Sequence, residues 1–514
     1  MHLTKTLFLI TLIYTSFNSS AQQYNGLKHS NYGGVHSIID NPANAADSRH
    51  RISVNLGGIG LDLQNNRLQW DAPYSLIQFM TGTVPSTYRG TSGKPLWSKD
   101  YYKQNNQEKV DIFSAAEIHG PALAISLPKR DMGIAAGVNV RFQGNFINTS
   151  PVIIAVLTGG TKNPNLHNER FDDSYGSVNA GSYTDFYLSA AKVIDDSKRF
   201  LKVGATVKRS TSSVNLGVKA NELDFEITPF TNEFQNVMVY QSKGEFVNAY
   251  SNVPISTQWL VDQFISPKST GNGFGLDLGL VFEKRENNSY KMFKLKNTKI
   301  VDPINNKYLY KVSASITDIG YIQYKNPVFV QSANILDSNN FIPPATFYKL
   351  SGTEKFVNGL EKTYSSLNPA TYGRSFTVLS PATLRLSLDY KLRPNIYVTS
   401  YLHQPLLPAS RYGLSSHGGL GIIPRYERRN FEIDIPISLE GNYQSFGMGL
   451  NLRAGPFYLG VSNIPGILGV GTPRGLNIYT GLMYNLSYKR KNEDALACPV
   501  KEPFRIKLPF NKKK

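Results

Sequence analysis

Few side chains in this sequence could work together as a reaction centre. Ser415-Ser416-His417, in the run GLSSHGG, supplies a hydroxyl nucleophile and a base by residue type. Neighbouring residues of a strand point to opposite faces, so Ser416 and His417 on a strand would not meet. The G-x-S-x-G elbow that presents a nucleophilic serine is missing. The 8 histidines (His2, His29, His36, His50, His119, His167, His403 and His417) show no metal-ligand spacing with a carboxylate along the chain. His29 and His36 flank a candidate plug segment, where a satisfied surface role is expected. The single cysteine, Cys498, excludes a disulfide framework and a multi-cysteine zinc site. Gly271-Asn272-Gly273-Phe274-Gly275 has the glycine spacing of a phosphate loop. It opens a strand rather than a helix, and no Lys-Ser/Thr follows it. The expectation is therefore a chain that is not an enzyme, with no catalytic, cofactor-binding or metal-binding residues and no cofactor.

Chemistry of another kind lies in the charges. Asp131 to Phe142 alternate with period two: Met132, Ile134, Ala136, Val138, Val140 and Phe142 share one face, and Gly133, Ala135, Gly137, Asn139 and Arg141 share the other. The same alternation sets Phe274, Leu276, Leu278, Leu280 and Phe282 against Asp277, and Leu384, Leu386, Leu388 and Tyr390 against Arg385 and Asp389. It sets Phe431, Ile433, Ile435, Ile437 and Leu439 against Glu432 and Asp434. Each such stretch is about ten residues, the length a tilted strand needs to cross hydrocarbon. Apolar faces would meet lipid, and polar or glycine faces a lumen. The lumen would then carry Arg141, Lys202, Lys208, Lys311, Arg385 and Arg453 with Asp277, Asp389, Glu432 and Asp434. Such charges either select solutes, as in pores, or pair with one another in a narrow or plugged barrel. The presence of both signs favours pairing.

The N-terminus sets the compartment. Lys5, the apolar run Leu7 to Phe17 and the small residues Ser19-Ser20-Ala21 read as a cleaved signal peptide over 1–21. The run is too short to span a bilayer as a helix. An exported chain without apolar helices that enters a membrane must do so as a closed barrel, because every backbone polar group in lipid needs a partner. The formal charge of +18 on 514 residues points to lipopolysaccharide, peptidoglycan or an acidic partner rather than nucleic acid, which an exported chain rarely meets. The 30 Tyr and 27 Phe against 3 Trp suit strands and interfacial girdles.

Strands are expected over 52–63, 113–127, 132–142, 182–194, 200–210, 273–283, 308–323, 381–391, 395–403, 412–424, 430–440, 444–454, 456–462 and 475–488. The gaps 128–131, 195–199 and 392–394 are short polar turns, whereas 64–112, 143–181, 211–272 and 324–380 are long. Long extracellular loops alternating with short periplasmic turns mark an outer-membrane barrel rather than a soluble sandwich. The fold expected is all-β: a transmembrane antiparallel barrel of 14 strands over 51–488, preceded by an N-terminal plug segment over 22–50 and followed by a basic tail over 489–514. Both termini would be periplasmic. The long loops hold apolar runs (Pro151 to Leu157, Trp259 to Ile265, Val328 to Val330), so they should fold as a cap or dip into the lumen rather than stay disordered. Asp318, before Gly320 and Tyr321 where the seventh strand ends, suits a bulge or turn cap.

Asn41-Pro42-Ala43 just ahead of the first strand resembles the N-terminal region of the long-chain fatty-acid channel family and of Bacteroidota barrels that serve type IX secretion. The run Gly273 to Leu280, with Asp277, and the run Tyr310 to Ile322, with Asp318 and Gly320, resemble a family of Bacteroidota outer-membrane proteins known only as a domain of unknown function. The resemblance implies a 14-stranded barrel with an N-terminal plug. Relatives of that shape include hydrophobic-solute channels and non-transporting subunits of secretion or assembly machines. The basic tail and the long loops depart from a bare channel. The expected function is an accessory or scaffold subunit of an outer-membrane secretion or assembly complex, with a passive channel for hydrophobic or small solutes as the alternative. The expected partners are outer-membrane lipid, lipopolysaccharide, and outer-membrane or periplasmic proteins.

Overall fold

A computed structural model describes residues 25–488, apart from short stretches within 76–107 and the segments 160–165, 197–198, 229–235, most of 251–268, 286–291, 296–297, 302–307, 336–339, 343–370, 407–415 and 465–473. The expected signal peptide and basic tail lie outside the described residues.

The wall is a closed antiparallel barrel of 14 strands. They are β1 (Ile52–Asn65), β2 (Val110–Leu127), β3 (Met132–Thr149), β4 (Arg170–Asp195), β5 (Arg199–Thr228), β6 (Gly271–Arg285) and β7 (Tyr308–Ile335), then β8 (Thr383–Arg393), β9 (Ile396–Pro405), β10 (Gly419–Arg428), β11 (Phe431–Asp434 and Ile437–Glu440), β12 (Ser445–Met448 and Leu450–Ala454), β13 (Phe457–Val461) and β14 (Gly475–Leu486). Closure comes from β1, which pairs with β2 on one side and with β14 on the other, from Ile52↔Leu486 to Gln64↔Gly475.

Burial is inverted relative to a soluble protein. On β1, Leu56, Ile59, Leu61 and Leu63 are exposed while Ser53, Asn55, Asp62 and Gln64 are buried. The same inversion holds on β8 for Leu386 and Leu388 against Asp389, and on β14 for Leu482, Tyr484 and Leu486 against Asn477. Leucine on alternate outward positions facing water would cost the hydrophobic free energy of every side chain; facing lipid it costs none. Among the described residues no helix is long and apolar enough to cross a membrane.

Two expectations about the strands need correction. Strand 10 does not occupy 412–424; it begins at Gly419 and runs to Arg428. Arg425 and Glu427 continue it because they point inward and are 2% and 1% exposed, paired with lumen partners rather than solvent. The seventh strand does not end near Asp318. It runs to Ile335, and Asp318 (φ +60°) is a bulge within it, where the register against β6 shifts between Ile316 and Ile319.

Much of the chain expected as loop is also sheet. β4 and β5 pair from the short-turn end out to Arg170↔Glu226. Beyond the start of β6, the strand Asn236–Tyr250 takes its place between β5 and β7. Strands of 26 and 30 residues are more than twice what the hydrocarbon requires, so this side of the wall projects well beyond it. A short helix, Pro151–Gly159, packs beside this projection. There Val152 and Ala155 join Leu166, Phe171, Leu223, Phe225 and Ile227 in an apolar cluster. Of Trp259 to Ile265 only Asp262 and Phe264 are described. A Cβ placed on Gly120 would come within 2.8 Å of the Phe264 ring and of Val138, so Phe264 packs on the outward side of the wall rather than in the lumen.

Replacing Leu388, midway along β8 and facing lipid, by Arg should lower unfolding free energy in lipid vesicles by roughly 2–4 kcal/mol. Leu388→Ile at the same site should change it little, as read by urea titration of tryptophan emission.

Candidate functional site

The lumen is filled from the N-terminus. Two short helices, α1 (Asn25–His29) and α2 (Val35–Asp40), and a 3-10 turn (Pro42–Ala45) fold inside the barrel. Asn41 organises this plug. Its Oδ1 accepts from the Ala43 N–H at 3.0 Å and so caps the turn, with Pro42 in the first position, where it lacks no needed donor. Its Nδ2 donates to Ser313 Oγ at 2.7 Å, to the Ala314 carbonyl at 3.0 Å and to the Leu280 carbonyl at 3.2 Å. The Asn-Pro-Ala element is thus a clamp between the plug and strands β6 and β7.

Glycines make room for it. A Cβ on Gly279 would fall 2.1 Å from Asn41 Oδ1, one on Gly204 2.5 Å from the Ala43 nitrogen, and one on Gly133 1.8 Å from the Ala45 carbonyl oxygen. Plug backbone therefore lies directly on the wall at β3 and β5, and the Asn41 side chain with the Pro42 ring lies on it at β6. Around this seat Val35, Ile38, Ala45 and Ala46 pack on Ala122, Ala124, Ala135, Tyr187, Val193 and Phe200, an apolar core inside the barrel.

The rest of the lumen is ionic, and the ten charges singled out in the sequence all lie in it. Arg141 on β3 donates to both oxygens of Asp318, at 2.9 and 3.2 Å, and also pairs with Asp185 on β4. Lys208 on β5 bridges Asp318 and Asp277, each at 2.8 Å, and the Asp318 N–H donates to Asp277 Oδ1 at 2.7 Å. Asp277 and Asp318 therefore meet across the β6–β7 bulge. Gly320 is required beside them because a Cβ there would meet the Phe274 carbonyl oxygen at 2.2 Å.

On the opposite side Arg425 donates to Asp389 at 2.9 Å and to Glu427 at 3.0 Å, while Lys311 lies 3.6 Å from Asp389. Arg453 holds Glu432 at 3.0 Å. Asp434 sits against the plug, where a Cβ on Gly26 would be 2.5 Å from its Oδ2.

The plug ties into these networks. Ser30 Oγ donates to Glu432 at 2.6 Å, Asn31 Nδ2 to Glu427 at 2.5 Å, Lys202 to the Ala46 carbonyl at 3.1 Å and Arg385 to Asp40 at 3.3 Å. Burial, and next the charge of Arg385, brings the Lys28 ammonium of the plug down to about 8. Two cavities among the described residues are lined by Lys28, one of about 60 Å³ and one of about 40 Å³. That is room for a few waters.

The histidines behave differently from expectation. His29 and His36 lie within the plug helices rather than flanking them, His29 stacked on Tyr401 at 5.2 Å and His36 buried between His119 and Tyr458. Ser416 and His417 lie just before β10, not on a strand. The Ser416 hydroxyl pairs with Thr383 at 3.0 Å, and His417 turns away to Asp62 on β1 at 3.1 Å.

Linear spacing also misses a cluster that the wall assembles. His403, His417 and Glu440 place one potential ligand atom each within 4.8 Å of the others, all three buried. The register does it: His403 is paired with Gly419, and Glu440 follows Leu439, itself the partner of Leu420. Strand pairing read from turn positions is the signal that could have found it.

A closed barrel with a leucine-rich exterior, a polar interior and an internal plug defines an outer-membrane-type β-barrel. The chain belongs to a family of unknown function (DUF5723), which matches residues 42–462. No curated protein matches it. Among solved structures the chain is similar to the toluene transporter TodX of Pseudomonas putida (10% identity, 92% of this chain and 96% of that one, TM-score 0.34). It is similar also to a FadL homologue of Pseudomonas aeruginosa (10% identity, 91% and 99%, TM-score 0.22) and to the translocator domain of the autotransporter NalP of Neisseria meningitidis (10% identity, 84% and 88%, TM-score 0.29).

Asp318→Ala would leave Arg141 and Lys208 facing each other without their shared carboxylate. The expected cost is about 3–5 kcal/mol, seen as a large drop in the temperature at which the heat-modifiable band on SDS gels is lost.

Proposed function

We propose that this chain is a closed, non-enzymatic barrel of the outer membrane that acts as an accessory or scaffold subunit of a secretion or assembly complex. The observation that carries this reading is the occupied lumen: a plug clamped through Asn41 and seated on three wall glycines, with cavities of only about 60 and 40 Å³ beside Lys28 at its surface. A barrel so filled serves as an anchor. Its working surface is then the projecting β4–β5 sheet, read as extracellular, with the basic tail in the periplasm beside both termini. Arg209 and Lys325, exposed on β5 and β7 at the level where β6 begins, suit the phosphates of lipopolysaccharide.

In a mild-detergent extract the protein should migrate with outer-membrane or periplasmic proteins as a defined assembly, and should lose them when the hairpin beyond Ser177 and Lys219 is shortened. Migration as a lone barrel under all extraction conditions would count against the proposal.

One feature favours a second reading, a channel for small or hydrophobic solutes: Lys28 lines both cavities, so movement of a single plug side chain would join them. Planar-bilayer recordings separate the two. As an anchor the wild type should be silent and Gly279→Val, which removes the seat of Asn41, should conduct. Steady conductance or solute uptake by the wild type would favour the channel.

A further inference from the structure

We propose that His403, His417 and Glu440 form a binding site for one divalent transition-metal ion, with zinc as the best-fitting ion, at the long-loop end of the lumen. Glu440 Oε2 lies 3.2 Å from His403 Nε2 and 3.7 Å from His417 Nδ1. In a tetrahedral zinc site with bonds near 2.0–2.1 Å, adjacent ligand atoms stand roughly 3.3 Å apart. Two of the three donor separations are thus close to that spacing and the third lies within 4.8 Å, and two imidazoles with one carboxylate are a donor set zinc favours.

The surroundings are built as the outer shell of a metal site is built. A ligating imidazole is normally fixed by a carboxylate on its other nitrogen. His417 Nε2 has Asp62 Oδ2 at 3.1 Å, and Nδ1 lies 3.7 Å from Glu440 and 3.3 Å from both the Gly441 N–H and the Gly418 carbonyl, long contacts that a metal ion would replace. A ligating carboxylate is normally held through its second oxygen, and Glu440 Oε1 accepts from the Tyr401 hydroxyl at 2.8 Å. His403 is 2% exposed, with its Nε2 turned to Glu440 and its Nδ1 without a hydrogen-bond partner, a costly state for a buried polar ring.

Gly419 completes the case. It separates His403 from Glu440 in the sheet, and a Cβ there would stand 2.2 Å from Glu440 Oε2 and 2.5 Å from His403 Nε2. The space among the donors exists because this residue has no side chain. Three protein ligands leave a fourth position for water or a solute group. Because Tyr401 also stacks on His29 of α1, the ion would be coupled to the plug through one phenol ring.

The test uses the untagged full-length mature protein in detergent, stripped with chelator and titrated with zinc chloride by calorimetry, with bound zinc counted by mass spectrometry. One zinc per chain is expected. Glu440→Gln removes a ligand charge, and Gly419→Ala fills the space among the donors without replacing a ligand. Each should weaken binding by on the order of 100-fold, and Asp62→Asn by roughly 10–100-fold. The heat-modifiable band on SDS gels identifies the variants that have folded, and any folded member of the set is sufficient. If the stripped wild type takes up no zinc at micromolar metal, or if folded Glu440→Gln or Gly419→Ala binds as the wild type does, the proposal is wrong.

Discussion

Backbone amides and carbonyls that enter hydrocarbon must find partners within the protein, since lipid offers none. In this chain that demand is met by joining the first strand to the last, from Ile52↔Leu486 to Gln64↔Gly475. Everything else follows from the ring so made. Outward positions become solvent for acyl chains, so leucine is stable there while exposed. Inward positions become a private interior too narrow for bulk water, so arginine and aspartate there must satisfy one another. The inversion of burial and the density of internal ion pairs are two results of one constraint.

Inside that ring two kinds of contact divide the work of holding the plug. Small residues let plug backbone approach the wall on β3 and β5 and the Asn41 side chain approach it on β6, where Gly133, Gly204 and Gly279 admit the Asn-Pro-Ala turn. Charged and amide side chains, among them Ser30, Asn31, Asp40 and Lys202, then fasten the rest to the networks of the wall. The first kind sets position through shape, and the second sets it through direction. The plug consequently behaves as a fifteenth component of the wall and not as a loose stopper.

The barrel was legible in the sequence because its periodicity is strict: alternate leucines on β6, β8 and β14 can be assigned to one face without any knowledge of the partner strand. The 14-strand count and the short turns at 128–131 and 392–394 are local features and were readable as such. Three matters were not local. Pro424 and the charges after it read as the end of a strand, since nothing nearby shows that Arg425 has Asp389 waiting across the lumen. Asp318 read as a terminus because a bulge and a turn use the same left-handed residue. The projection of β4 and β5 was hidden because polar strands beyond the lipid lose the alternation that identifies the others. The His403, His417 and Glu440 cluster depends on register across β9, β10 and β11, and His417 depends further on Asp62 from the far wall; no spacing along one chain encodes either.

The wall is also uneven in stiffness. Strands β3 to β7 are cross-linked by one ionic knot, in which Arg141, Asp185, Lys208, Asp277 and Asp318 each come from a different strand. On the other flank, β11 is interrupted between Asp434 and Ile437 and β12 between Met448 and Leu450, and β13 is only 5 residues long. A cylinder with one riveted flank and one hinged flank does not dilate evenly under load. Any strain passed down from the tall hairpin would be conducted through the riveted side undiminished and released as bending on the hinged side, beside Asn451 and Tyr479, where α1 rests.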